Sequence, residues 1–296
     1  MNLGQIGTAM VTPFSETGTI DYKRVEKLIE HLIANGTDTL VVNGTTGESP
    51  TVTAQEKRAL LSFTVKQVNK RIPVIAGTGT NSTAESVLLT QQAEKLGADG
   101  IMLVTPYYNK PDQRGMYAHF AHIAGETKLP VLLYNIPGRS VVNMQPETVI
   151  ELSKIKNIRA VKEASGSLEQ MSTIIEGTDD GFSVYSGDDA LTLPLLAIGG
   201  SGVISVAAHV VGKEMQQMIN AFKNGQIAQA AAMHRTLLPI FNAIFSAPNP
   251  VPIKYALEKI GIEIGGVRLP LVDFDEGQIS FDQVWENYQK NQLIFK

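Results

Sequence analysis

A lysine at the end of an apolar run is the residue most suited to covalent chemistry. Lys162 ends the run Ile158-Arg159-Ala160-Val161-Lys162. Because alternate residues of a strand face the same side, Ala160, Lys162 and Ala164 should point together into a crowded interior. Burial disfavours the charged form of an amine, and the neutral amine attacks carbonyl carbon. The segment therefore indicates Schiff-base chemistry, although an ion-paired structural lysine would fit it equally well.

A tyrosine ends the apolar run that precedes the lysine-bearing one. Tyr134 closes the run 130–134, and neighbouring strands lie about 4.8 Å apart. Its hydroxyl could therefore reach Lys162 or the carbonyl that the amine attacks. Imine formation moves protons between amine, carbinolamine and leaving water, and a phenol can relay them. A core tyrosine with a satisfied hydroxyl is the alternative interpretation.

Two further segments are suited to binding carboxylates. Thr45 and Thr46 lie between glycines, where hydroxyls and exposed backbone N–H groups can hold an anion, although an ordinary glycine-rich turn would look the same. Arg139 follows the Tyr134 run on a proline–glycine turn. Its guanidinium could hold a carboxylate through two hydrogen bonds, or it could be a solvated surface charge.

Other catalytic patterns are not supported. His119 and His122 are three residues apart on a predicted helix, but no third ligand completes a zinc pattern, so we expect no metal. The pair Asp188-Asp189 could ligate magnesium, yet an acidic pair that begins a helix is more often a cap. The sequence has no Gly-x-Ser-x-Gly elbow and no P-loop.

Eight apolar runs are predicted as strands, and they alternate with helical patterns except between the last two. Capping boxes are predicted where the helical patterns begin at Thr53, Ser82 and Ser167. The predicted strands are 5–10, 38–42, 73–77, 100–104, 130–134, 158–162, 182–186 and 202–206.

This alternation predicts an α/β fold, a closed parallel (β/α)8 TIM barrel. An open doubly wound sheet is disfavoured because no Gly-x-Gly-x-x-Gly follows the first strand. We assign residues 1–224 to the catalytic barrel and residues 225–296 to a C-terminal helical extension, which is broken by Pro248, Pro250 and Pro252. Barrel active sites form at the carboxyl ends of the strands, where all the candidate residues above lie.

Composition excludes several classes of function. The chain has 296 residues, of which 43% are hydrophobic, enough for one large core. Its net charge of −4 and its lack of basic runs argue against nucleic-acid binding. No stretch approaches the roughly 18 apolar residues of a membrane span, and no signal-peptide pattern is visible. The chain has no cysteine, which rules out disulfides and thiol catalysis. We expect a cytoplasmic protein that binds neither nucleic acid nor membrane.

Taken together, the strand ends resemble those of the dihydrodipicolinate synthase (4-hydroxy-tetrahydrodipicolinate synthase) family of pyruvate-dependent class I aldolases. Each motif is weak alone, but the set in this order is specific, and it spans the chain. The wider superfamily includes N-acetylneuraminate lyases and sugar-acid aldolases, which usually lack the Thr-Thr pair and the arginine. The matching motifs are Gly44-Thr45-Thr46-Gly47-Glu48-Ser49, Pro106-Tyr107-Tyr108-Asn109-Lys110-Pro111, Tyr134-Asn135-Ile136-Pro137-Gly138-Arg139, Val161-Lys162-Glu163-Ala164 and Ser186-Gly187-Asp188-Asp189.

The resemblance implies a lyase of the diaminopimelate route to lysine. Lys162 would form an imine with pyruvate, and the derived enamine would attack the aldehyde of L-aspartate 4-semialdehyde. The imine is itself the electron sink, so neither a metal nor an organic cofactor is implied. By the same resemblance, the proton relay is Tyr134, Thr45 and Tyr108, the pyruvate pocket is Thr46 with the backbone near Ile204 and Gly187, and Arg139 holds the semialdehyde carboxylate.

The resemblance also implies a homo-oligomer, either a dimer or a tetramer built as a dimer of dimers. Tyr108 would then act in the neighbouring subunit's site, with Tyr107 packed at the same junction. Feedback inhibition by lysine is expected to be weak or absent. Asn81, Glu85 and Tyr107 match the family's lysine pocket, but Ala54 and Lys57 stand where inhibited relatives tend to have histidines, and Pro50 follows Ser49.

Two alternatives to the synthase are open. One is another pyruvate-dependent lyase of the superfamily, a sugar-acid aldolase. Arg139 disfavours it, because a polyol aldehyde needs hydroxyl partners rather than a guanidinium. The other is a non-catalytic barrel that binds a small keto acid, in which the amine of Lys162 would be charged and ion-paired.

Overall fold

Eight parallel strands close into a barrel. The computed structural model describes residues 3–274 and 281–292. Each strand pairs with the next along the chain, and the eighth pairs with the first. The strands are β1 Ile6–Ala9, β2 Thr39–Val42, β3 Val74–Gly77, β4 Gly100–Val104, β5 Val131–Asn135, β6 Ile158–Glu163, β7 Ser183–Ser186 and β8 Gly202–Ser205. The predicted TIM barrel is confirmed, and every strand ends within one residue of its predicted bounds.

Helices occupy the segments between the strands and the C-terminal region. None of the described helices is long and apolar enough to cross a bilayer. The helices are α1 Tyr22–Ala34, α2 Ala54–Val68, α3 Thr83–Lys95, α4 Gln113–Gly125, α5 Pro137–Ser140, α6 Pro146–Ser153, α7 Leu168–Gly177, α8 Thr192–Ala197, α9 Ala208–Lys223, α10 Ile227–Ala243, α11 Val251–Lys259 and α12 Phe281–Gln292.

A short helix also separates the last two strands, where the sequence suggested none. Helix α8 is one and a half turns long and buries Leu195 and Leu196. Pro194 lies in its first turn, where the missing N–H costs no intrahelical hydrogen bond. The helical period is too short there to be visible in the sequence, so the expectation was wrong.

Only one of the three predicted capping boxes forms both of its hydrogen bonds. At Thr53 the hydroxyl accepts from the Glu56 N–H and the Glu56 carboxylate accepts from the Thr53 N–H. At Ser82 only the hydroxyl bond is found among the described residues. At Ser167 the hydroxyl accepts from the Gln170 N–H, but the Gln170 side chain binds buried groups beside β6 instead. The box predicted there is therefore wrong.

The core has two layers, one inside the barrel and one between the sheet and its helices. Because both faces of the sheet are covered, nearly all residues of the strands are buried. Ala160 lies in the interior layer and Ala164 packs against it. Lys162, between them on the same strand face, is 5% exposed. The predicted inward orientation of this strand face is confirmed.

The C-terminal region packs onto the barrel's outer layer. Apolar residues of α10 and α11, including Leu237, Ile240 and Ile253, belong to the same core as the barrel helices. The proline-rich link separates α10 from α11, as expected, and Pro252 lies in the first turn of α11. Pro239 lies inside α10, a feature not anticipated from the sequence. The boundary between residues 224 and 225 falls between α9 and α10 and stays a prediction.

Candidate active site

Lys162 is a buried amine near the carboxyl end of β6. In the sheet it is in register with Tyr134 of β5 and Tyr185 of β7. Burial lowers the pKa of Lys162 to about 8. The nearby charge of Asp189 opposes this fall in pKa and that of Arg139 adds to it. A substantial fraction of this amine is therefore neutral, and nucleophilic, at a mildly alkaline pH.

Tyr134 covers the lysine. The Lys162 Nζ lies 4.4 Å from the centre of the Tyr134 ring. Burial raises the pKa of the Tyr134 hydroxyl to about 12, against the opposing effects of the Arg139 charge and a hydrogen bond with Thr45. The phenol therefore keeps its proton at neutral pH. It can donate that proton to an oxygen on the atom that the amine attacks, as the sequence suggested.

The Thr45–Thr46 turn follows β2 at the same end of the barrel. Thr46 is buried, and its hydroxyl accepts a hydrogen bond of 2.9 Å from the Asn249 Nδ2. This bond leaves the Thr46 hydroxyl proton free to be donated to an anion. Asn249 was missed by sequence reasoning because it lies in the proline-rich link to the C-terminal region, far from any strand end.

Gly187 lies beside the lysine, and Ile204 belongs to the interior layer of the barrel. A Cβ atom at Gly187 would lie 2.5 Å from the Cβ of Ala164 and 3.1 Å from the Cε of Lys162. Any side chain at position 187 would therefore displace the lysine. Ile204 is fully buried in the same interior layer as Tyr134. Of the three residues that the resemblance assigned to the pyruvate pocket, Gly187 thus lies against Lys162 and Ile204 belongs to the layer that contains Tyr134.

A cavity of about 250 Å³ opens at this end of the barrel. Arg139, on the short helix α5, lines the cavity together with Thr45 and Tyr134, so its guanidinium belongs to the site rather than to a remote surface. Tyr107 also lines the cavity, whereas Tyr108 is 88% exposed with a positive φ of 74°. Within a single chain, Tyr108 is the one predicted catalytic residue that does not join the cluster.

The acidic pair after β7 has two different environments. Asp188 accepts from the Ala190 N–H and caps a short 3₁₀ turn, as expected. Asp189 is buried and accepts from the Ser205 hydroxyl and from the N–H groups of Val206 and Ala207. Burial raises the pKa of Asp189 to about 6. Sequence reasoning treated both residues as caps and missed Asp189 as a buried charge near Lys162.

A second buried carboxylate directly follows the lysine. Glu163 accepts hydrogen bonds from the Asn135 side chain, the Gln170 side chain and the Ser165 N–H. Burial raises the pKa of Glu163, and these hydrogen bonds act in the opposite direction. The network ties the ends of β5 and β6 together on the outer face of the sheet. A glutamate inside an apolar strand was the signal that could have indicated it.

Fold and site together define a class of protein: a (β/α)8 barrel with a small cavity at its catalytic end, lined by a tyrosine whose ring lies against a desolvated lysine. Among the described residues, no group of three or more His, Asp or Glu side chains could hold a metal ion.

Comparison with known proteins places the chain in a family. The sequence model of the Dihydrodipicolinate synthetase family matches residues 2–281. The chain is 58% identical to the 4-hydroxy-tetrahydrodipicolinate synthase of Bacillus velezensis, over 94% of this chain and 96% of that protein. The chain therefore belongs to the dihydrodipicolinate synthetase family, as the motifs at its strand ends predicted.

Solved structures agree with this placement. A dihydrodipicolinate synthase from Bacillus anthracis superposes with a TM-score of 0.95 at 51% identity, covering 97% of this chain and 98% of that one. An enzyme of the same name from Cyanidioschyzon merolae, solved with lysine bound, superposes with a TM-score of 0.93 at 46% identity, covering 97% of each chain.

Proposed function

We propose that this chain is a 4-hydroxy-tetrahydrodipicolinate synthase, a lyase that condenses pyruvate with L-aspartate 4-semialdehyde through an imine on Lys162. The observation that carries the proposal is the register of Lys162 with Tyr134, which places a desolvated amine against the ring of a protonated phenol. The high identity to relatives that bear this enzyme's name supports the choice of substrates.

The first half of the reaction forms the nucleophile. The neutral amine of Lys162 attacks C2 of pyruvate, and the carbonyl oxygen takes a proton relayed through Tyr134 and Thr45. Loss of that oxygen as water leaves a protonated imine, and loss of a methyl proton then gives an enamine. The Thr46 hydroxyl, which keeps its proton free because it accepts its hydrogen bond from Asn249, donates to the pyruvate carboxylate.

The second half forms the carbon–carbon bond. The enamine carbon attacks the aldehyde of the semialdehyde, whose oxygen becomes a hydroxyl by taking a proton from the relay. The amino group of the new chain then closes the ring and releases Lys162. Arg139, at the cavity wall, holds the semialdehyde carboxylate through charge-assisted hydrogen bonds.

No metal or organic cofactor is required by this proposal. The protonated imine withdraws electrons from the adjacent carbon, so the enzyme supplies its own electron sink once pyruvate is attached. We propose the cytoplasm as the place of action, because the relatives of this chain bear the name of a biosynthetic enzyme.

Tyr108 completes the relay in a homo-oligomer, as a dimer or a dimer of dimers. Its exposure and left-handed backbone extend the side chain away from its own barrel, which supports a role in a neighbour's site. Mixed subunits test this. Tyr108→Phe and Lys162→Ala subunits are each inactive in their own oligomers, but a hybrid contains one intact site and should recover activity. No recovery in hybrids proven by mass would contradict the trans role of Tyr108.

The proposed reaction is tested by comparing acceptors and cleavable substrates at equal enzyme concentration. Pyruvate with L-aspartate 4-semialdehyde should give the cyclic product, whereas N-acetylneuraminate and aldonic acids should release no pyruvate. Efficient cleavage of a sugar acid, with no condensation, would replace the synthase by the aldolase alternative. Binding of pyruvate without either reaction would favour the non-catalytic barrel.

A further inference from the structure

A buried ion pair lies directly beneath the Thr45–Thr46 turn and takes no part in the proposed reaction. Lys254 Nζ lies 2.6 Å from the Glu48 Oε1, and both residues are 3% exposed. Glu48 belongs to the catalytic end of the barrel, two residues beyond Thr46. Lys254 belongs to α11 in the C-terminal region. The pair thus joins the active-site turn to a part of the chain that follows the barrel.

Lys254 is itself held on three sides. Besides Glu48, its amine donates to the Gly266 carbonyl oxygen at 2.8 Å and lies 4.2 Å from the centre of the Phe14 ring. Burial lowers the pKa of Lys254, and the Glu48 charge opposes that shift. These contacts fix the position of the Lys254 amine, which in turn fixes the position of the Glu48 carboxylate.

A second anchor reaches the same carboxylate from the segment after α11. The Arg268 N–H donates to the Glu48 Oε2 at 2.9 Å, and the Arg268 guanidinium donates to the Thr51 carbonyl oxygen at 2.8 Å. The guanidinium also forms an ion pair with Glu56, and its Cζ lies 4.3 Å from the centre of the Phe14 ring. Glu48 and Thr51 are therefore both pinned to one short C-terminal segment.

The backbone transmits this anchoring to the threonines. Glu48 has a left-handed φ of 55°, which an L-residue adopts only when its surroundings impose it. Its N–H donates to the Thr45 carbonyl oxygen at 3.0 Å. The C-terminal region therefore holds the Thr45–Thr46 turn in two ways. It acts on the turn's backbone through Glu48 and on a side chain of the turn through the hydrogen bond from Asn249 to the Thr46 hydroxyl.

We propose that Glu48, locked by Lys254 and Arg268, is a positioning residue that sets the Thr45–Thr46 turn for pyruvate binding and proton relay. The proposal rests on the function proposed above. A buried ion pair contributes little net stability compared with an apolar replacement, so the fold alone does not account for this arrangement. Positioning of the Thr45–Thr46 turn to within a few tenths of an ångström would account for it, because small misplacements of binding groups cost large factors in rate.

The test compares Glu48→Gln with the double variant Glu48→Gln/Lys254→Met. The single variant leaves the Lys254 amine without its counter-charge and can lower the melting temperature. The double variant removes both charges, so its melting temperature should recover. In both variants the pyruvate KM should rise about tenfold or more, with a parallel fall in kcat, when measured well below the onset of unfolding.

A matched control lies in the same C-terminal region. Asp282→Asn breaks the Lys259–Asp282 ion pair, which joins α11 to α12 at 3.0 Å and does not touch the turn. This control should keep the wild-type pyruvate KM. A purely structural role for Glu48 would lower the melting temperature and the active fraction while leaving the pyruvate KM unchanged, and that outcome would overturn the positioning proposal. Recovery of both properties to wild-type values in the double variant would overturn it as well.

Borohydride trapping separates this proposal from the proposed function. Wild type and both variants should reach the same end-point labelling of Lys162 with pyruvate and borohydride at saturating pyruvate, because Lys162 stands on β6, apart from the turn. Absence of labelling in the wild type would contradict the proposed imine mechanism itself. A labelled wild type with unaltered variant kinetics would sink only the positioning role of Glu48.

Discussion

Two lysines of this barrel are almost equally buried, but their polar surroundings differ. Lys162 is 5% exposed and lies over the ring of Tyr134, while Lys254 is 3% exposed and lies over the ring of Phe14. Lys254 has a carboxylate partner at 2.6 Å. In the described part of the chain, Lys162 forms no ion pair with any carboxylate. The oxygens of the nearby Asp189 instead accept hydrogen bonds from the Ser205 hydroxyl and from backbone N–H groups.

This difference separates a nucleophile from a structural charge. Desolvation acts on both amines, but only Lys254 is compensated by a counter-ion and a carbonyl acceptor. An uncompensated amine loses its proton more easily and stays free to attack, whereas a compensated one is held in place. Burial alone therefore does not mark a catalytic lysine; burial without a carboxylate in direct contact does.

The largest expected effect follows from removing the uncompensated amine. Lys162→Met should lower kcat by at least about 1000-fold, because no covalent route remains. Its free energy of unfolding should not fall, since a thioether needs no solvation where the amine was desolvated. Steady-state kinetics and thermal melts measure both. The exposed Lys154→Met serves as a control and should change neither property. A Lys162→Met enzyme with the kcat of the wild type would contradict the distinction between the two lysines.

Arg139→Ala should produce the next largest effect, confined to the second substrate. Losing the charge-assisted pair costs roughly 2–5 kcal/mol, a loss on the order of 30- to 4000-fold in kcat/KM for the semialdehyde. The Arg139 charge also lowers the pKa of Lys162, so the acidic limb of the pyruvate pH profile should move to higher pH in the variant. The exposed Arg114→Ala is the control. Normal semialdehyde kinetics, or a loss confined to imine formation, would contradict this role for Arg139.

Removing the compensated amine should instead affect stability. Lys254→Met leaves the Glu48 carboxylate buried without its counter-ion, which typically costs about 3–5 kcal/mol. Denaturant titration at neutral pH measures this loss. Lys259→Met, which breaks a half-exposed pair in the same region, should cost no more than about 1 kcal/mol. Equal losses in the two variants would show that burial of the Glu48 pair has no special consequence.

The pH dependence of kcat/KM for pyruvate should report the protonation of Lys162. Its pKa is lowered to about 8 from an ordinary value of 10.5. Below about pH 8, kcat/KM for pyruvate should therefore fall about tenfold per pH unit. Between about pH 8 and 10.5 the unfolded chain binds more protons than the folded one, so stability should rise with pH across that window. Because burial also lowers the pKa values of Lys57 and Lys254, Lys162→Met should reduce this rise and not abolish it. A rise as large as that of the wild type would show that Lys162 does not contribute to it.

Substitution of a third lysine, Lys57, is expected to have the smallest effect, an effect on inhibition by lysine. It lines the cavity with Ser49, Pro50 and Tyr107, and burial lowers its pKa while the Glu85 charge opposes the shift. Its positive charge should repel a lysine ligand, and a penalty of about 1.4 kcal/mol would weaken binding tenfold. Lysine at millimolar concentration should inhibit weakly, and Lys57→His should increase inhibition where the exposed Lys66→His does not. Strong inhibition of the wild type would contradict this.

Much of the fold was readable from the sequence because each strand is a buried apolar run that begins and ends at local turn signals. The active-site cluster followed from topology, since the carboxyl ends of parallel strands meet at one end of a barrel. Lys162, Tyr134, Thr45 and Arg139 were found in this way. Short helices such as α8, with a proline and little more than one turn, carry no legible period.

What the sequence could not supply was contact between distant parts of the chain. Asn249 lies 203 residues from Thr46, and Arg268 lies 220 residues from Glu48. Local patterns placed both in a helical extension and gave no reason to expect them beneath the active-site turn. Asp189 was missed for a related reason, because capping and burial of a carboxylate give the same local sequence.

Borohydride trapping with pyruvate, followed by peptide mapping, tests the distinction between the two buried lysines most directly. The uncompensated amine should form an imine that borohydride reduces to a stable adduct, and the compensated amine should not. We predict a single adduct per chain on the peptide that contains Lys162, formed faster as the pH rises toward 8. An adduct on the peptide that contains Lys254, or no adduct at all, would contradict the account.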